Sequence, residues 1–248
     1  MENIHFKTNP IIQVIFQARF DTITNLAELL PLIRDDFNDR YPNYRQFENH
    51  VNNLEIQGDF PVRLERKISP NHEFISANNI FKINLTANFV SLTTMQYDNW
   101  QAFKNEIEYM LKTITQRIQL FNLGRIGLRF VNVIDKDNTK FKDSTFASLI
   151  NCDLLGFLNH IPEEKANSFK VSYEYELDDL CKNRLNIEAV HINNSTTKSL
   201  LLDLDYFISN GTTFDNLDEN LNSLHNASDS VIDKLFTQKM KEVLNSDE

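Results

Sequence analysis

Two segments of this chain repeat like charges at even spacing. Arg125-Ile126-Gly127-Leu128-Arg129 carries two guanidinium groups, and Leu202-Asp203-Leu204-Asp205 carries two carboxylates. On a strand, even spacing puts side chains on one face. Arg125 and Arg129 then share a face with Gly127, Val131 and Val133, while Ile126, Leu128, Phe130, Asn132 and Ile134 form the other. Asp203 and Asp205 likewise share a face with Leu201 and Phe207. Two arginines so arranged can grip a phosphate or carboxylate with forked hydrogen bonds. Two carboxylates can hold a divalent cation. The plainer alternative is structural: Arg125 and Arg129 pair with Asp203, Asp205 or Glu174 across a sheet, at about 0.2–1 kcal/mol per pair.

Catalytic patterns are missing around these residues. A strand-borne D-x-D also occurs in nucleotidyltransferases, but the Gly-Ser helix start that accompanies it there is absent. A nuclease pattern would follow its acids with E-x-K, whereas Glu188-Ala189-Val190 leads to His191. There is no G-x-S-x-G elbow and no H-E-x-x-H. The six histidines show no metal-ligand spacing; His225, in a C-terminal helix, reads as a cap or packing residue before a base. Tyr97 and Trp100 read as a staple at a helix entry. The residues carried forward as ligand-binding candidates are Gln13, Arg125, Arg129, Asn132, Asp203, Asp205 and His225. None is assigned a catalytic role, Asp203 and Asp205 are the weak metal candidates, and no cofactor is expected.

The elements that must position them follow from hydrophobic spacing. Ile11 to Phe20 alternates as a strand, with Gln13 on its polar side. Asn25 to Asp39 has a helical stripe, a capping-box-like Asn25/Glu28 start, and Pro31 as a kink or start. A β-rich stretch covers Leu54 to Ile68, where Val62, Leu64 and Arg66 alternate, then Phe74 to Asn78, Ile80 to Thr86 and Phe89 to Gln96. Asn99 to Phe121 is the clearest helix. The order then repeats: a strand at Arg125 to Ile134, a helical segment at Phe146 to Leu158, strands at Phe169 to Leu177, Arg184 to Ile192 and Ser199 to Ile208, and a helix over Leu217 to Leu244.

Both halves thus read strand, helix, three or four antiparallel strands, long helix. The expectation is an α+β fold of two internally duplicated β-α-β(3–4)-α halves, residues 1–121 and 122–248, forming one continuous antiparallel sheet with helices on one side. By fold analogy alone this resembles the saddle of TATA-binding-protein-like folds.

Composition narrows the function classes. Only 5 glycines occur in 248 residues, and they do not cluster. Phosphate-cradling loops need clustered glycines, because backbone must approach phosphate without a Cβ in the way. Gly127, between two arginines, marks either a bulge or a close backbone approach. A net charge of −10 argues against general nucleic-acid binding. Cys152 and Cys181 make no metal or redox motif and read as reduced thiols. Met1 to Pro10 lacks an apolar core, so no signal peptide is expected, and no apolar run reaches membrane-spanning length. These readings point to a cytoplasmic chain.

Several segments together resemble one family. Asn9-Pro10-Ile11-Ile12-Gln13-Val14-Ile15-Phe16 is similar to a PPI-x-E opening strand. Tyr97 and Trp100 stand at the entry to the central helix. Arg125-Ile126-Gly127-Leu128-Arg129-Phe130-Val131-Asn132 is similar to an RIGLRYxN strand, and Leu202-Asp203-Leu204-Asp205-Tyr206-Phe207 to an LDxD strand, with His225 and Phe236 beyond. Over nearly its whole length the chain resembles the TIGR04255 family, a sporadically distributed bacterial family with no established activity. It departs at Asn9, where the pattern has proline, and at Gln13, where it has an acid, which removes a charge from any shared site. Scattered occurrence accompanies mobile or defence genes, so the resemblance implies a bacterial system of mobile or antiphage-defence type. The expected function is a non-enzymatic protein-interaction module whose partner is another protein. Self-association through an exposed sheet edge is a further expectation. The alternatives are a ligand- or nucleotide-sensing domain built on the RIGLR and LDLD strands and, more weakly, a metal-dependent enzyme acting on nucleic acid.

Overall fold

The structure is a computed structural model that describes residues 6–57, 60–119, 122–192 and 195–246. Gly58 and Phe121 lie outside these residues, as do the side chains of Val62, Leu64 and Arg66, where alternation is expected. The fold is α+β. In chain order the elements are β1 (Ile11–Arg19), α1 (Leu26–Phe37), β2 (Asn43–Gln57), β3 (Phe60–Ile75), β4 (Phe81–Leu85), β5 (Phe89–Thr94), α2 (Trp100–Thr115), the two-residue β6 (Asn122–Leu123), β7 (Arg125–Ile134), α3 (Phe146–Leu149), α4 (Cys152–Leu155), β8 (Lys170–Glu176), β9 (Cys181–His191), β10 (Lys198–Ile208), the two-residue β11 (Thr212–Thr213), α5 (Leu217–Leu235) and α6 (Gln238–Asn245). Nine strands form one antiparallel sheet in the order β2-β3-β4-β5-β1-β7-β10-β9-β8. Contacts group the chain into two compact units, one of Phe16–Arg125 and one of Met1–Ile15 with Ile126–Glu248. No helix among the described residues is long and apolar enough to cross a membrane.

In the unit spanning Phe16–Arg125, α1 packs on α2 and α2 on β5. The apolar stripes explain the packing: Ile33 and Phe37 of α1, Phe103, Ile107, Met110 and Ile114 of α2, and Ile83, Leu85, Val90 and Leu92 of the strands are all buried. Asn99 caps α2, its side chain accepting from the Ala102 N–H at 2.9 Å. Tyr97, just upstream, meets Phe103 edge-on at 6.1 Å, which gives the expected staple a partner. Arg117 forks onto Asp36 and ties the end of α2 to α1.

Several boundaries differ from the sequence reading. Asn25 does stand before α1, but its side chain makes no capping bond; its backbone carbonyl accepts from Glu28 and Leu29 instead. The helix runs through Pro31, whose missing N–H leaves one turn without its bond. The β-rich stretch is longer than expected: β2 and β3 pair over their whole lengths, with a register shift at Glu55/Ile56. Helix α2 ends at Thr115, six residues short of Phe121.

His72, on β3, is buried, and the Tyr44 hydroxyl lies 2.9 Å from its Nδ1. Burial holds its pKa below the ordinary histidine value. The folded protein therefore favours neutral His72, while the unfolded chain takes up a proton near pH ~6.5. This contribution is complete above that pH and is lost as pH falls from ~6.5 toward the lower folded pKa. Urea titrations between pH ~7 and ~5 are expected to show stability falling, with a shallower slope in His72→Gln. Equal slopes would count against the assignment.

In the other unit, α5 lies against β10 and β9, and α6 against α3. Two stretches read as single helices are broken. The segment from Phe146 to Leu158 is α3, α4 and a 3-10 turn at Gly156–His160, rather than one helix. Asn151 restarts the chain as a cap, accepting from the Asp153 N–H at 3.1 Å, and Gly156 takes a left-handed φ of 56°. The helix expected over Leu217–Leu244 is interrupted at Phe236. Phe236 is extended, and the Thr237 hydroxyl both caps α6 and donates to the Ser148 carbonyl at 2.7 Å.

Candidate functional site

Strand β10 pairs with β7 on one side and β9 on the other, and β9 pairs with β8. The registers set side chains in rows across four strands. One row runs Arg129, Asp205, Arg184, Glu174; the next runs Val131, Asp203, Asn186, Ser172. Period two places these rows on the face opposite the core. Leu202, Leu204, Tyr206, Ile126, Leu128 and Ile134 are buried on the core face.

Acids and bases on the outer face satisfy one another. Arg129 reaches diagonally to Asp203 and donates from Nε to Oδ1 at 2.6 Å and from Nη2 to Oδ2 at 2.7 Å. That hydrogen bonding raises the Arg129 pKa above its ordinary value. Asn186 also donates to Asp203 at 3.5 Å, and its own Oδ1 accepts from the Ser172 hydroxyl at 2.7 Å. Arg184 forks onto Glu174 Oε2 at 2.8 and 2.5 Å. Lys182 bonds Glu176 at 2.7 Å, and Lys170 lies 3.4 Å from Glu188. Bidentate arginine pairing occupies both oxygens of Asp203, leaving no open carboxylate fork there. Among the described residues no group of three or more His, Cys, Asp or Glu could hold a metal ion.

Of the residues singled out from sequence, Arg129, Asp203 and Asp205 share this face. Arg125 is half-buried at the start of β7 and falls in the other unit. Asn132 lies on the core face, buried, with Nδ2 3.5 Å from the Phe130 and Leu202 carbonyls. Gln13 is half-buried on β1. His225 is buried in α5, where its carbonyl accepts from the Ser228 hydroxyl at 2.7 Å. Gly127 is at no bulge: the register passes through it undisturbed, opposite buried Phe207.

Sequence reasoning missed Arg184 and Asn186 as members of the network. The available signal was the alternation of β9, where Lys182, Arg184, Asn186 and Glu188 fall on one face. It also missed two cavities of moderate size. One, of about 270 Å³, is bounded by Phe146, Leu155, Leu158, Phe169 and Lys198; Glu163 at its wall accepts from Lys136 Nζ and from the Phe146 N–H. The other, of about 290 Å³, lies beside Arg34, whose guanidinium sits 4.0 Å over the Tyr44 ring. Neither is lined by Arg129, Asp203 or Asp205. Cys152 is exposed and Cys181 buried, and both are free thiols; burial pushes Cys181 up to about 11.

The Arg129–Asp203 pair is half-exposed on one side, with side-chain exposures of 46 % and 14 %. A double-mutant cycle on Arg129→Ala and Asp203→Ala is expected to give a coupling of about 1 kcal/mol. A coupling indistinguishable from zero would mean that the fork adds nothing to folding.

No protein-family model matches the chain, and no curated protein matches it.

Proposed function

We propose that this chain is a non-enzymatic protein-interaction module of a cytoplasmic bacterial system. The observation that carries the reading is the mutual pairing on the outer face of β7, β10, β9 and β8. Arg129 is committed to Asp203 and Arg184 to Glu174, so these groups do not converge on a cavity in the way a reacting group would need. The resemblance to a bacterial family without established activity supports the same reading.

The test has two parts. The purified chain is expected to turn over neither nucleoside triphosphates nor single- or double-stranded nucleic acid, with or without Mg²⁺ or Mn²⁺. Calorimetric titration with either ion is expected to give no saturable heat. A turnover abolished by Arg129→Ala in a variant that keeps its circular dichroism would overturn the reading. So would an ion-binding heat lost in Asp203→Asn.

A further inference from the structure

Strand β8 ends the strand order, so among the described residues one of its sides has no strand beside it. Which backbone groups face that side follows from two bonds to β9. Ala189 N–H donates to the Phe169 carbonyl at 3.2 Å, and Leu177 N–H donates to the Cys181 carbonyl at 2.9 Å. In an antiparallel ladder, alternate residues exchange both of their backbone bonds with the partner strand. The odd-numbered residues therefore turn their N–H and C=O groups to β9. Lys170, Ser172, Glu174 and Glu176 turn theirs to the open side. Such an edge is a template for a further strand.

The side chains favour one particular strand: a second copy of β8. Consider a two-fold axis through Tyr173, normal to the sheet. Lys170 then faces the partner's Glu176, Ser172 faces the partner's Glu174, and both pairs recur by symmetry. All four outward-facing residues are paired. The Lys170 and Glu176 side chains are 61 % and 71 % exposed, so both can reach. Within one copy, Lys182 bonds Glu176 and Lys170 meets Glu188. The paired edges would thus extend one alternating row: Lys182, Glu176, the partner's Lys170, the partner's Glu188. On the core face, Val171 meets the partner's Tyr175, whose counterpart here is among the exposed large apolar side chains. Tyr173 stands on the axis, its hydroxyl held by the Leu154 carbonyl at 3.3 Å. An axis through Glu174 instead would set Glu174 against itself, which is unfavourable.

We infer that the chain forms an antiparallel dimer by pairing β8 edge to edge with a second copy about Tyr173. This deepens the interaction-module reading by naming one partner and its surface. A seven-residue edge is small beside the about 1,600 Å² of a standard interface, so the dimer belongs to the weak, concentration-dependent class.

Sedimentation equilibrium of the full chain between about 1 and 300 µM is expected to show monomer and dimer in exchange. Ser172→Pro deletes an outward N–H while sparing the ladder to β9, and is expected to weaken the dimer about tenfold or more. Lys170→Glu and Glu176→Lys should each weaken it about tenfold, and the two together should restore it. The charge reversals also keep the test independent of any folding defect in the proline variant. A monomer throughout the range would overturn the inference. So would a dimer indifferent to all of these changes. Neither result touches the non-enzymatic reading, which falls only to a turnover dependent on Arg129 or to specific ion binding.

Discussion

Replacing Arg45 and Lys82 together by methionine is expected to lower the unfolding free energy by about 3 kcal/mol. Both cations serve Glu73, whose side chain is only 3 % exposed. Arg45 faces Glu73 directly across the β2–β3 ladder and bonds Oε1; Lys82 approaches Oε2 from β4 at 3.2 Å. Arg45 and Lys82 are themselves 61 % and 40 % exposed, so they stay solvated as ions while Glu73 does not. Methionine keeps the aliphatic cover and removes the charge. The carboxylate then stays buried without a counter-ion, the situation whose measured penalties run to about 3–5 kcal/mol. Either single replacement leaves one cation in place and should cost about 1 kcal/mol. Adding Glu73→Leu to the double variant removes the stranded charge and should recover most of the loss. Urea denaturation of the parent and the four variants decides it. A double variant within about 1 kcal/mol of the parent, or a triple variant no better than the double, would show that Glu73 is not held by its cations.

How far the sequence carries depends on which residues are asked. Strands β7 and β10 are legible because they alternate: Ile126, Leu128, Phe130 and Leu202, Leu204, Tyr206 are buried, while Arg129, Asp203 and Asp205 are not. Asn43 to Asn53 is rich in amides and lacks that alternation, so the spacing does not mark this part of β2 as a strand. The weakly periodic, helical-looking pattern of Phe146–Leu158 cannot reveal that Asn151 restarts the chain or that Gly156 turns left-handed, because both are local backbone choices. The candidate site shows the same division. Charge types and even spacing anticipate an Arg129–Asp203 pairing. They do not say that β10 lies between β7 and β9, and it is this order that gives Glu174 to Arg184 rather than to Arg129. Strand neighbours are set by the whole chain, not by a window of it.

Asn183→Leu is expected to stabilise the protein by about 2 kcal/mol, and Tyr206→Phe by about 1 kcal/mol. The register sets Leu128, Tyr206, Asn183 and Tyr175 in one row on the core face of β7, β10, β9 and β8. Asn183 and Tyr206 are fully buried. Neither polar atom of the Asn183 amide, nor the Tyr206 hydroxyl, has a hydrogen-bond partner among the described residues. Burial also raises the Tyr206 pKa well above its ordinary value, so the phenol stays neutral. A buried donor or acceptor without a partner carries a desolvation penalty of about 1–3 kcal/mol. Leucine has the branching of asparagine without its polar atoms, and phenylalanine has the shape of tyrosine without the hydroxyl. Overpacking works against the leucine, which is why the expected gain stays below the summed penalty of both amide atoms. Local choices that oppose stability tend to survive where function needs them. Here the row runs out to Tyr175 on the β8 edge, so the two variants also probe that edge. Asn183 lies one strand inward and on the core face, so the monomer–dimer constant should stay unchanged while the unfolding midpoint rises. A destabilised Asn183→Leu would mean that the amide is partnered in solution. A stabilised variant that no longer dimerises would mean that the polar row, as well as the charged one, governs the pairing of the edge.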